Sequence, residues 1–483
     1  MSTINSGETF TFEDKRSNTK ESGYNEQTKK NIVNMNNQEK NDKNTNDIQD
    51  NDNSSQVYYK LFIYSDSGTC IYHKNYNDNK NNIDESFKEE SDNEGIDKEL
   101  GAIQGIIQAV YFTPLDIDCE IHMISTDVGL LSYKAFTYEK NILLLALIFP
   151  NFYSDETLSH RISKLLLEYI YNFLVMNIGK KSLFKFGNSN EIEKLRRIID
   201  IYSFGINYIL NNHSSLTFLL KAEKKLQIDK DVIYGIKHYI DEFIKTIKKD
   251  IFCLTFEDNI VCASSNWLNI HITDRILFIL LSKIFSSGDI MEIPIYFTKT
   301  QLEDEGIGIS PYKLIIINLL KNTKLLIVSD NNLELESLDF RNILDDFFIS
   351  KFIQMQKINK FGNDILDTYL KGALVHNKFL KTYKIMGDED LQEVYQNFLI
   401  NNIFTNFLFD NEGECLSDQF YVKDNNYFTF YYYKINALCF LLLFDKETSF
   451  EDINAVISTL KALKDSFDNR ENYKDSNDEK FFP

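Results

Sequence analysis

The chain has 483 residues, 43% of them hydrophobic and 14% aromatic, and a formal net charge of −20. At roughly 100–200 residues per domain, that length predicts two to four domains. A net charge of −20 with no arginine-rich stretch argues against nucleic acid as a partner, because phosphate contacts need clustered Lys and Arg.

Residues 1–56 are dominated by Asn, Asp, Glu, Lys and Ser and carry no apolar core of a leader peptide. They read as a disordered tail, because they cannot bury enough surface to offset backbone entropy. Tyr58–Ser65 reads as a strand, Asp66-Ser67-Gly68 as a tight turn and Thr69–Tyr76 as the returning strand. A polar insertion follows at 77–98, read as a second disordered segment. The spacing of Leu100, Ile103, Ile107, Val110 and Tyr111 then predicts a helix over Glu99–Phe112. Strands are expected at Cys119–Ser125, Leu130–Tyr138 and Ile142–Phe149, the last apolar on both faces, as a covered central strand would be. A long helix should start after Ser154, with Leu158, Ile162, Leu165, Tyr169, Phe173 and Met176 on its stripe and Gly179 as its C-cap.

The order β-β-α-β-β-β-α recurs. After helices at Ser189–Asn211 and Asp231–Lys248 come strands Ile251–Phe256 and Ile260–Ser264, a helix Thr273–Ser286, strands Glu292–Thr298, Lys313–Asn318 and Lys324–Ser329, and a helix Ser337–Gln356. A third stretch offers a helix at Leu391–Ile400, strands at Ile403–Phe409, Tyr427–Lys434 and Leu438–Phe444, and a helix Phe450–Leu463. The expected fold class is therefore α/β (α+β), with three tandem units, each a five-stranded, mostly antiparallel sheet with flanking helices. The unit boundaries fall at 57–180, 250–358 and 375–467, with a helical linker at 181–249 and a second disordered tail at 468–483.

Residue chemistry points away from covalent catalysis. The seven histidines form neither HxxxH nor HExxH, and the six cysteines contain no CxxC. There is no phosphate loop, so neither a metal nor an organic cofactor is expected; the cysteines read as reduced core thiols of a cytosolic protein. No apolar run is longer than the eight residues of Ile142–Phe149, far short of the ~20 residues that span a bilayer. Trp267, the single tryptophan, reads as a packing residue. The Leu100–Phe112 helix is apolar nearly all round, which predicts cover on both sides, by the core and by a partner chain. Gln104, Ile107, Gln108 and Tyr111, with Tyr59 and Leu61 of the adjoining strand, are the candidate partner surface. The two amides are expected to face outward.

This element order resembles the longin fold. Ser65, Gly68, Ile71, Tyr72 and Lys74 in "LFIYSDSGTCIYHKNY" are similar to the opening strand pair of the monensin-sensitivity vacuolar fusion family, within the longin superfamily that also holds Fuzzy and the Hermansky–Pudlak subunit. His271, Asp274, Leu277, Leu280 and Ser286-Ser287 resemble the helix of that family's second unit, and "LVHNKFLKTY" (Leu374–Tyr383) a segment of its third. The resemblance implies a non-enzymatic subunit of a guanine-nucleotide exchange factor, paired with a second longin-domain protein of the calcium-caffeine-zinc sensitivity type. It further implies a Rab-family GTPase of late endosomes or the vacuole as the target and peripheral recruitment to those membranes. A Fuzzy-like ciliary effector and a longin adaptor without exchange activity are the alternatives.

Overall fold

The computed structural model describes residues 58–77, 101–106, 109, 123–126, 129–150, 156–226, 228, 230–247, 251–285, 290–298, 312–320, 322–329, 351, 370–387, 391–403, 419–423, 428–435 and 437–458. The two polar tails, the 77–98 insertion beyond Asn77, the Ser337–Gln356 helix apart from Lys351, and the Ile403–Phe409 strand beyond its first residue lie outside that set. Ile403 itself is helical.

The first sheet contains β1 (Tyr58–Ser65), β2 (Cys70–Asn77), β3 (Met123–Thr126), β4 (Gly129–Tyr138) and β5 (Asn141–Phe149), in the order β2-β1-β5-β4-β3. Its central strand is β5, where Leu143 to Phe149 are all 2% exposed or less. Seven consecutive buried side chains are possible only because both faces are covered. One face packs Tyr59, Leu61, Leu145 and Leu147 against helix α2 (Glu156–Ile178). The other packs Phe62, Tyr64, Leu144 and Ala146 against Ile103 of α1, described over 101–106. Helix α2 ends at Gly179, whose φ of 82° is a conformation that favours glycine.

The second sheet repeats that arrangement. β7 (Phe252–Phe256), β8 (Asn259–Ala263), β9 (Ile290–Ile295), β10 (Tyr312–Leu320) and β11 (Thr323–Ser329) are ordered β8-β7-β11-β10-β9. The helices between the first two sheets are α3 (Lys180–Leu183), α4 (Ser189–Ile201), α5 (Ser203–Asn211), α6 (Leu216–Leu220) and α7 (Lys230–Ile247). Helix α7 covers one face of the second sheet through Val232, Ile236, Ile240 and Ile244. The other face is covered by α9 (Ile272–Ile284), which follows the short α8 (Ser265–Asn269). Side chains of α2, α5 and α9 belong to one continuous core that joins the first two sheets.

The third sheet holds β12 (Leu370–Asn377), β13 (Thr382–Gly387), β14 (Gln419–Lys423), β15 (Phe428–Ile435) and β16 (Leu438–Asp445). Its own strands run β14-β15-β16-β12-β13, the same arrangement once more. Helix α10 (Leu391–Ile403) lies on one face through Tyr395, Phe398 and Leu399, and helix α11 (450–458) on the other through Ile453, Val456 and Ile457.

The structure departs from the sequence-based expectation at β14, which lies where no strand is expected, and in two further features. This sheet begins at Leu370, upstream of the boundary expected at 375, and Leu374–Tyr383 is a strand, a turn and the start of a second strand. The segment expected to be a purely helical linker also supplies a sixth, two-residue strand, β6 (Glu223–Lys224), paired parallel to β13. The next residue, Lys225, bridges to Ile260 of β8. One short segment therefore stitches the edge of the second sheet to the edge of the third.

Candidate functional site

The β1–β2 turn is closed by Gly68 N–H donating to the Ser65 carbonyl at 2.9 Å, with Gly68 at φ 76°. Gln104 of α1 reaches this turn: its Nε2 donates to the Gly68 carbonyl at 2.9 Å. The expected outward-facing amide pair is thus corrected at Gln104, which is half-buried and engaged within its own unit. An amide close to a turn carbonyl satisfies that acceptor better than one held in solvent. Ile107, Gln108 and Tyr111 lie outside the described residues. Tyr59 and Leu61 are corrected too. Both are 0% exposed, and strand alternation turns them to the α2 face, away from α1. They are core residues and cannot line a surface.

What α1 does present outward is small: Gly101, Ala102 and Gly105 are exposed, as is Ala109 just beyond. A Cβ placed on Gly101 or Gly105 would meet nothing within 4 Å. Over its described residues this helix turns Ile103 and Ile106 toward the sheet and a glycine-alanine face away from it.

A buried polar cluster lies where the second and third sheets meet. Arg275 Nη1 stands 2.8 Å from Glu223 Oε2, with side-chain exposures of 2% and 0%. Trp267 Nε1 donates to Glu223 Oε1 at 3.2 Å, and Arg275 Nη2 donates to the Leu380 carbonyl at 3.1 Å. The local sequence places each group. Ser264 caps α8 by accepting from Trp267 N–H, which fixes the indole at the helix start. His271 caps α9 through its ring nitrogen, and Asp274 in the first turn accepts from Thr298 N and Oγ1 at 3.1 and 2.7 Å. Burial pushes the Glu223 carboxyl up to about 7, against the Arg275 charge and the Trp267 N–H, which both favour the anion. Burial also lowers the Arg275 guanidinium, and the Glu223 charge opposes that fall. The cluster joins β6, α8, α9 and the β12–β13 turn. It is a structural clamp that sequence reasoning found only in part, through Trp267 as a packing residue.

One serine–histidine contact has the look of a nucleophile and its base. Ser132 Oγ lies 3.2 Å from His160 Nδ1 and accepts from Ser163 Oγ at 2.6 Å. Both serines are 0% exposed, sealed between β4 and α2, so no substrate reaches them. Among the described residues no group of three or more His, Cys, Asp or Glu is placed to hold a metal ion. No helix among them is long and apolar enough to cross a membrane.

Taken together, the described residues define a mixed α+β protein with three sheets of like strand order, held together by shared cores and a buried ion pair. No protein-family model matches the chain. No curated protein matches it either.

Proposed function

We propose that the chain is a subunit of a heterodimeric guanine-nucleotide exchange factor for a late-endosomal or vacuolar Rab GTPase, of the monensin-sensitivity vacuolar fusion type. One observation carries this reading: three sheets of the same strand order, each with a helix region between its second and third strands. Three longin domains in one chain would have that arrangement. Its partners are a second longin-domain protein of the calcium-caffeine-zinc sensitivity type and the GTPase, and its place of work is the surface of endosomes or the vacuole.

Exchange of this kind breaks no bond in the exchange factor. The factor binds the nucleotide-free GTPase more tightly than the GDP-bound form and so shifts that equilibrium. The work is done by surfaces that remodel the switch loops. The Gly101–Ala102–Gly105 face of α1 is suited to such contact, because small side chains let a partner's backbone come close. Affinity purification of the tagged chain tests the reading. It predicts recovery of a second longin-domain protein together with a Rab GTPase. Recovery of a clathrin-type coat or a ciliary assembly in their place would overturn it.

A further inference from the structure

The turn between β12 and β13 carries Phe379 at 83% exposure, the highest of the large apolar side chains described. Surface aromatics are common singly, but this one stands on a turn whose backbone is fixed. Lys378 N–H donates to the Ala437 carbonyl at 2.8 Å, and Leu380 N–H to Asn377 Oδ1 at 2.9 Å. The Leu380 carbonyl accepts from Arg275 and the Lys381 carbonyl from Glu223 N–H at 2.9 Å. The chain therefore holds a phenylalanine out in solvent on a rigid support.

The charge around it runs against the charge of the whole. The chain is −20, yet residues 378–384 contain Lys378, Lys381 and Lys384 and no acid. Strand β6 alongside carries Lys224, whose Nζ donates to Gln392 Oε1 at 2.7 Å, and is flanked by Lys221 and Lys225; its single acid, Glu223, is buried against Arg275. Because Glu223 pairs with Thr382 in a parallel register, Lys221 stands level with the turn. Its ammonium lies 3.7 Å from Glu168, an acid shared with Lys134. Lys221 and Lys381 are exposed.

We propose that the β12–β13 turn is a membrane-docking finger: Phe379 enters the boundary between headgroups and acyl chains while the surrounding lysines meet anionic lipid headgroups. A lone aromatic at a rigid tip, with Lys378 before it and the exposed Lys381 after it, suits the layered chemistry of a bilayer surface, with anions outside and hydrocarbon within. A protein partner would call for a broader apolar area around the ring. The inference rests on the reading above only for peripheral recruitment, and the two fail separately. Lost vesicle binding leaves nucleotide release in solution untouched, and absent nucleotide release leaves vesicle binding untouched.

The purified full chain is to be sedimented with vesicles of phosphatidylcholine alone and with vesicles containing about 30% phosphatidylserine. The finger predicts binding to the anionic vesicles only, weakening as salt rises from about 0.1 to 0.5 M. Phe379→Ser and Lys381→Glu should each weaken binding, and together by about tenfold or more, with unchanged melting temperature. Tyr234→Ser, which removes an aromatic 74% exposed on α7, should bind like the parent. Equal losses for Tyr234→Ser, parental binding by the double variant, or no binding of the parent to anionic vesicles would each overturn the proposal. So would parental vesicle binding by Lys381→Glu combined with loss of a co-purifying acidic protein, which would make the turn a protein-docking element.

Discussion

Arg275→Met keeps most of the length of the side chain and removes its charge from the clamp between the second and third sheets. The guanidinium stands 2.8 Å from Glu223 Oε2, with side-chain exposures of 2% and 0%. At that separation and an effective dielectric near 20, the attraction is about 6 kcal/mol. Several kcal/mol of desolvation per ion offset most of it, so the intact pair contributes little net stability. Removing one partner is different, because the other stays buried without its counter-charge: the expected cost is about 3–5 kcal/mol. The lost bond to the Leu380 carbonyl adds about 1 kcal/mol. The loss should depend on pH. Burial already raises the Glu223 carboxyl above its unfolded value, and without the guanidinium it rises further. A group raised on folding contributes stability that is present below its unfolded pKa of about 4.3 and is lost as pH rises through the folded value, at about 1.4 kcal/mol per unit. Urea unfolding of parent and variant at about pH 5.5 and about pH 8 measures this, with the larger deficit expected at the higher pH. Glu223→Gln added to Arg275→Met should recover much of the loss, since an amide still accepts from Trp267 without a charge to bury. A deficit below about 1 kcal/mol at both pH values would mean that the pair is solvated like a surface ion pair, and the clamp argument would fall.

Gly205→Ala would place a Cβ 2.2 Å from Phe173 Cζ, and Phe173 is fully buried with no room to swing. Alanine's helix preference, worth about 1 kcal/mol, is outweighed by the strain, so thermal melting should show a net loss of roughly 1–2 kcal/mol. Ala146→Asp puts a carboxylate in the middle of β5 at a position 0% exposed, and should cost more than about 4 kcal/mol, seen as loss of a cooperative urea transition. Gln104→Ala removes the bond to the Gly68 carbonyl, with an expected cost of about 0.5–1.5 kcal/mol and no change in overall secondary structure by circular dichroism.

The parts of this fold that could be read from sequence are those governed by local pattern. β1 and β5 follow apolar runs closed by turn residues or Pro150, and α2 follows its 3.6-residue stripe to the glycine that ends it. β12 and β13 were legible only as a stretch of family-like sequence. Gly372, His376 and a lysine-rich turn interrupt their alternation, and their burial comes from β16 rather than from their own pattern. β6 is two residues long within "KAEKK" and has no periodicity; it exists because the exposed edges of β8 and β13 both need partners.

The candidate surface was read less well, for a physical reason. Tyr59 and Leu61 neighbour α1 in the chain order of elements, but in a strand the residues at odd positions here face the opposite layer from Phe62 and Tyr64. Gln104 carries no sequence sign that its amide turns back to Gly68. The ion pair of Glu223 with Arg275 joins residues whose contact depends on how two sheets are docked, and no local pattern records that.

The most direct test of the account is nucleotide release. The purified chain, alone and with any second longin-domain protein that co-purifies with it, is mixed with late-endosomal Rab GTPase loaded with a fluorescent GDP analogue, and release is followed after excess GTP is added. The account predicts release well above the spontaneous rate with the pair, little with the chain alone, and none from an unrelated GTPase. A stable pair that leaves the spontaneous rate unchanged would contradict it and leave a longin-like assembly without exchange activity.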